Sequence, residues 1–200
     1  MLFPEQLETD RLQFDRLCHA NVDIQEFHRI CSNDDAIGEV TQHVSWNPHK
    51  TIKETKDFID AAEVGWKDGE NASYLIRPDA GEDNTGEIAG STGLGIDWER
   101  RTGTLGIWLR KPFWGRGYSG ERAAALMDLA FEQLALEIVA VSHRPANEQS
   151  QRAVKKYVKA YGGQRDGIIR NGLVDQDGTI ADEVRYTVAK EEYAESINEQ

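Results

Sequence analysis

The residues best suited to chemistry lie between Arg100 and Gly120. This window holds Arg100, Arg101, Arg110, Lys111 and Arg116 and no acidic residue, in a chain whose 23 basic and 35 acidic residues leave a net charge of −12. The cations run into a glycine-rich stretch, Phe113-Trp114-Gly115-Arg116-Gly117-Tyr118-Ser119-Gly120. Glycines let a backbone come close to a ligand. The first amides of a following helix have no partner within it, and the helix dipole favours an anion there. A strand, a basic glycine turn and a helix together form a phosphate cradle. The plain alternative is a tight turn with solvated arginines.

Gly115, Gly117 and Gly120 satisfy G-x-G-x-x-G, which raises a dinucleotide fold. That fold wants an acidic residue at the end of the next strand to hold the ribose. Here that strand ends at Ser142-His143, and a meander precedes the glycines. Both features count against it. The turn does not fit G-x-x-x-x-G-K-[ST] either. His19, His28, His43, His49 and His143 are scattered without a ligand spacing, so no metal site is expected. Cys18 and Cys31 form no C-x-x-C pair and read as small buried hydrophobes.

The elements that must position this turn follow from pattern. A strand is expected over 12–17 and a helix over 22–31. Thr51 with Glu54 forms a capping box. Phe58, Ile59, Ala62 and Trp66 then recur at helical spacing. Segments 74–76, 87–96 and 104–109 read as a three-strand meander, with Leu105, Ile107 and Leu109 on one face of the third strand and Thr104, Gly106 and Trp108 on the other. A helix over 119–134 carries the stripe Ala123, Met127, Ala130, Phe131 and Leu134. The wholly apolar run 138–141 reads as a buried central strand. A helix over 148–161 stops at Gly162-Gly163. Strands over 168–173 and 184–188 flank a turn at Asp175-Gln176-Asp177-Gly178. The result is a single α/β (α+β) domain over 1–200 with a mixed, mostly antiparallel sheet of about six or seven strands, about four helices and a polar tail over 191–200.

The net charge argues against nucleic-acid binding. It suits a salt-rich cytosol or an ordinary acidic cytosolic protein alike. No run of about 18 apolar residues suggests a membrane span. Met1-Leu2-Phe3-Pro4-Glu5 does not read as a signal peptide. A cytoplasmic location is expected.

Trp114 to Ser119 resembles the pyrophosphate loop, Q/R-x-x-G-x-G/A, of the GNAT superfamily of acetyl-CoA-dependent N-acetyltransferases. It departs from the pattern at both ends, with Trp114 for Gln/Arg and Ser119 for Gly/Ala. Pro112 to Tyr118 followed by Glu121 resembles the branch that acetylates the N-termini of ribosomal proteins. Glu8-Thr9-Asp10-Arg11-Leu12, Gly86-Glu87-Ile88-Ala89-Gly90 and Asn147-Glu148-Gln149-Ser150-Gln151-Arg152 resemble three further segments of that branch, in the same order. The usual Lys-Leu-Gly-Phe ending is lengthened here to Tyr157-Val158-Lys159-Ala160-Tyr161-Gly162-Gly163.

The resemblance implies a GNAT-like fold in which acetyl-CoA lies where the middle strands splay. Its pantetheine would pair with the backbone at Ile107, Trp108 and Leu109. Its pyrophosphate would sit on the amides of Arg116, Gly117, Tyr118, Ser119 and Gly120. Arg152, with Lys155, Lys156 and Lys159, would meet the 3′-phosphate or else form a solvated helix face. Transfer to a primary amine would be direct. It asks for a base, an oxyanion donor and an acid for the leaving thiolate. A backbone amide near Trp108 or Leu109 would be the oxyanion donor.

Ser150 would be the acid, with Tyr157 as the alternative. Ser150 at a helix start would equally serve as a cap. Asn147 would orient the loop or the pantetheine. The base is open: Thr104 stands where the branch often has glutamate, Asp97 and Glu99 are the nearest carboxylates in sequence, and water would serve instead. The acceptor groove would fall at 34–50, with Trp46, His43 and His49, although Trp46 also fits a core position. A protein N-terminus, a polyamine or another small amine would all fit the groove. The chain would be a monomer or homodimer. A non-catalytic module of the same fold that binds CoA or a nucleotide is the second reading.

Overall fold

The computed structural model describes residues 2–175 and 177–198. Met1, Gln176, Glu199 and Gln200 lie outside the described residues, and with them the first residue of the segment that does not read as a signal peptide, one residue of the final turn and the end of the expected tail. The chain packs as two compact units. Met1–Gly93 with Ile107–Tyr118 form the first, and Leu94–Gly106 with Ser119–Gln200 the second. Among the described residues no helix is long and apolar enough to cross a membrane.

In the first unit the strands β1 (Gln6–Glu8), β2 (Leu12–Arg16) and β3 (Asn71–Pro78) pair antiparallel in that order. Helix α1 (Ile24–Asn33) begins where the Asp23 carboxylate accepts the amides of Gln25 and Glu26. A short α2 (Ile37–Thr41) follows. Helix α3 (Ile52–Asp68) starts as its sequence requires. Thr51 Oγ1 accepts the Glu54 amide, and the Glu54 carboxylate accepts the Lys50 amide. The helix ends at Gly69, whose φ of 75° is the left-handed stop that glycine allows. Ile59, Ala62 and Trp66 are buried as their spacing predicts. So are Phe27, Ile30 and Cys31 of α1. Burial pushes the Cys31 thiol up to about 12, helped by Asp34, so it stays protonated and inert.

In the second unit β6 (Ile138–His143) is flanked on both sides. The start of β5 (Thr102–Leu109) runs parallel to it, and β8 (Ile180–Ala189) antiparallel. That agrees with the apolar run 138–141. Strand β7 (Gln164–Val174) pairs antiparallel with β8. With β4 (Gly90–Asp97), the described residues hold eight strands in the order β1-β2-β3-β4-β5-β6-β8-β7.

Helix α4 (Tyr118–Asp128) is shorter than its apolar stripe predicts. At Leu129–Gln133 the backbone widens into a π-helical turn that closes with Leu134 N–H on the Leu129 carbonyl. The widened turn keeps Ala130 and Phe131 fully buried. Helices α5 (Glu148–Ala160) and α6 (Lys190–Asn198) complete the unit. The fold is therefore a mixed α/β architecture with a mostly antiparallel sheet, one strand richer than expected.

Candidate active site

The glycine turn is built within the first unit. After β5 the chain makes a 3₁₀ turn at Lys111–Phe113, where Pro112 fixes the backbone. The Trp114 indole donates to the Leu109 carbonyl at 2.7 Å and closes the exit from the strand. Gly115 and Gly117 take φ of 76° and 84°, a region that side chains resist. Arg11, 105 residues earlier in the chain, donates through Nη1 to the Arg116 carbonyl at 3.0 Å and lies over the Tyr118 ring. Tyr118 opens α4, so the turn leads directly into a helix N-terminus, as the cradle requires.

The five cations of the window do not act as one basic cluster. Arg100 lies against Asp97 and Arg101 against Glu137. Arg110 is clamped between Asp34 and Glu87, at 3.1 and 3.3 Å. Lys111 meets Glu39 at 2.6 Å. Arg116 differs from the other four. Its guanidinium donates to the Asp83 carbonyl at 3.0 Å and to Asn84 Oδ1 at 3.2 Å, and it lies over the Phe113 ring. These partners are neutral, so among the described residues Arg116 alone of the five has no carboxylate partner. Tyr118, two residues on, donates to the Glu82 carboxylate at 2.6 Å. Thus the loop 79–86, between β3 and β4, reaches the glycine turn. No spacing in the sequence signals that contact, because it joins residues more than thirty positions apart.

The second unit holds the candidate acids. Asn147 caps α5: its Oδ1 accepts the Ser150 amide at 3.0 Å. The Asn-x-x-Ser spacing is therefore first of all a cap, and the capping side chain is Asn147. Ser150 is half-buried, and its hydroxyl makes no hydrogen bond among the described residues. Arg152 is exposed and lies 3.6 Å from Glu148 on the same helix, while Lys155, Lys156 and Lys159 are exposed beside it.

Tyr157 is buried, and among the described residues its hydroxyl meets no partner at good hydrogen-bond geometry; its polar neighbour is Arg122. Burial raises its pKa and the neighbouring Arg122 lowers it. Arg122 itself is 1% exposed, and among the described residues its Nε and Nη1 have no partner at good hydrogen-bond geometry. Burial lowers its pKa, and Tyr157 acts in the opposite sense. The sequence reading missed Arg122. The signal lay in Leu126 and Leu129, at i+4 and i+7, which place Arg122 on the buried side of its helix.

Of the other expected site residues, Ile107 and Leu109 are half-buried and Trp108 is buried. Thr104 is exposed. Asp97 closes a turn by accepting the Arg100 amide, and Glu99 is exposed. Trp46 is a core residue, packed edge-on against Trp108 at 5.3 Å. Five rings form a closed circuit: Phe27, Phe58, His49, Trp46 and Trp108. Behind it one hydroxyl, Thr55 Oγ1, meets both His28 Nδ1 and His49 Nδ1, at 2.8 and 2.9 Å. Burial holds His49 below the usual histidine range, with Glu54 acting against it and His28 reinforcing it. Among the described residues no group of three or more His, Cys, Asp or Glu side chains is placed to hold a metal ion.

Comparison with known proteins agrees with this geometry. The family model described as an acetyltransferase (GNAT) domain matches residues 11–157. The chain is similar to p20 of Bacillus licheniformis, an uncharacterized N-acetyltransferase, with 25% identity over 157 residues, 78% of this chain and 83% of the relative. It is 33% identical over 109 residues to YdaF of Bacillus subtilis (strain 168), provisionally named a ribosomal N-acetyltransferase, a match over 54% of this chain and 57% of YdaF. A crystal structure from T. thermophilus, provisionally described as an acetyltransferase, superposes with a TM-score of 0.75 at 28% identity, covering 98% of this chain and 95% of that one.

Proposed function

Because the chain belongs to the GNAT family of acetyltransferases, we propose that it moves an acetyl group from acetyl-CoA directly to a primary amine, a protein N-terminus or a small amine. The observation that carries this reading is Arg116. A cation with only neutral partners, in a glycine turn that opens a helix, is a site in want of an anion. Arg116, Gly117, Tyr118, Ser119 and Gly120 would take the pyrophosphate. The backbone at Ile107, Trp108 and Leu109 would pair with the pantetheine, and an amide there would receive the developing oxyanion.

In the transfer, the amine nitrogen bonds to the thioester carbonyl carbon and the carbon–sulfur bond breaks. The amine proton leaves to water, since Asp97 is engaged in its turn and Thr104 carries no carboxylate. Ser150 gives its proton to the thiolate and regains one from the water that took the amine's proton. Among the described residues the Ser150 hydroxyl makes no hydrogen bond, whereas that of Tyr157 is deeply buried beside Arg122, which favours Ser150 in that role. Asn147 holds the start of α5 in place, and Arg152 is free enough to swing to a 3′-phosphate.

Residues 1–200 would work as one acetyltransferase domain, a monomer or homodimer in the cytosol, without nucleic acid as a partner. A thermal-shift titration tests the reading together with mass spectrometry of an amine panel. CoA and acetyl-CoA should raise the melting temperature with concentration and NAD should not. Acetylated product should appear with at least one amine. A shift from NAD alone overturns the reading. A CoA shift without any product moves the chain to the second reading, a module of the same fold that binds CoA without catalysis.

A further inference from the structure

Arg116 can serve as the anion's cation only if something holds its guanidinium without neutralising it. We propose that Asn84 is that positioning residue: its side-chain oxygen, with the Asp83 carbonyl and the Phe113 ring, fixes the Arg116 guanidinium at the glycine turn with its charge intact. The proposal rests on the reading of the turn as the cofactor's phosphate site.

Three observations meet here. First, Asn84 Oδ1 and the Asp83 carbonyl take one N–H from each terminal nitrogen of the guanidinium, at 3.2 and 3.0 Å. A guanidinium has five N–H donors, so beyond these two bonds and the neighbouring Tyr118 hydroxyl others remain for phosphate oxygens. Second, the Asn84 amide is oriented from its other end. Its Nδ2 donates to Glu87 Oε1 at 3.0 Å, which turns its oxygen toward Arg116. Third, Asn84 sits at φ of 65°, in the left-handed region where asparagine is among the few side chains tolerated. The loop thus holds this side chain where its oxygen can reach a residue 32 positions away.

The choice of an amide matters. An aspartate here would place a carboxylate on Arg116 and make it like Arg110, whose charge is already answered by Asp34 and Glu87. A neutral oxygen restricts the guanidinium rotamers without supplying a competing anion. Less side-chain freedom is then lost when phosphate arrives.

A double-mutant cycle tests the proposal, with affinity for CoA and for inorganic pyrophosphate measured by calorimetry. Asn84→Gly keeps the left-handed backbone and removes the oxygen. It should raise the Kd for CoA about three- to tenfold with melting temperature nearly unchanged. Arg116→Met should raise the Kd about tenfold or more. In the Arg116→Met background, Asn84→Gly should cost nothing further, because its effect passes through the guanidinium. A merely structural role for Asn84 predicts equal losses in both backgrounds, and that result overturns the proposal, as does an unchanged Kd for Asn84→Gly alone. Wild-type protein that binds neither CoA nor pyrophosphate would instead overturn the reading of the site itself.

Discussion

Gly90 lies flat against the backbone of Trp108, so close that a β-carbon on Gly90 would stand 2.1 Å from the Trp108 carbonyl oxygen. Leu109 Cα would be 2.9 Å from the same β-carbon. The end of β5, where the pantetheine is proposed to pair, is therefore shaped by a glycine at the start of β4. Gly90→Ala should destabilise the protein by about 3 kcal/mol, since backbone rather than a flexible side chain must move. Chemical denaturation measures this. An alanine variant as stable as the wild type would show that β5 shifts at no cost.

Asn147 and Ser150 share one capping interaction but should separate cleanly in function. Asn147→Ala removes the acceptor of the Ser150 amide and should cost about 1 kcal/mol of stability. Ser150→Ala leaves that cap intact, so melting temperature should hold. If Ser150 protonates the thiolate, its kcat should fall roughly 10²–10⁴-fold with CoA affinity unchanged. Melting and turnover measured on the same preparation decide the matter, and an unchanged kcat removes Ser150 from the chemistry.

Arg122 lies in the packed interior, where burial works against its charge, with a tyrosine rather than a carboxylate beside it. Desolvation of such a charge is not offset by Coulomb attraction. Replacing a buried ion pair by well-packed apolar residues is often neutral or stabilising by about 1–4 kcal/mol, because the desolvation cost disappears, and that cost weighs on a lone buried guanidinium too. Arg122→Met, close in volume, should therefore raise the midpoint of urea unfolding. A lower midpoint would mean that the guanidinium contributes more than it costs.

Much of the fold could be read directly from residue pattern. The Thr51–Glu54 cap, the apolar run of β6 and the Gly162-Gly163 stop are local signals, and each one appears where the sequence places it. The π-helical turn at Leu129–Gln133 was not legible, because an apolar stripe reads the same when one turn widens. The glycine turn was visible as a motif, but its electrostatics were not. The window counts five cations, whereas Asp34, Glu39 and Glu87, distant in sequence, answer two of them. Arg122 was hidden for the opposite reason, since arginine in a helix is ordinarily a surface residue.

The pairing of these cations also bears on how quickly an anion arrives. With four of the five answered by carboxylates, the turn presents one unopposed charge at contact, while from afar the molecule shows its net −12. A multiply charged anionic ligand is then repelled during approach and attracted only over the last few ångströms. Added salt screens the long reach more than the short one. Encounter should therefore quicken as ionic strength rises, the reverse of the usual electrostatically steered capture.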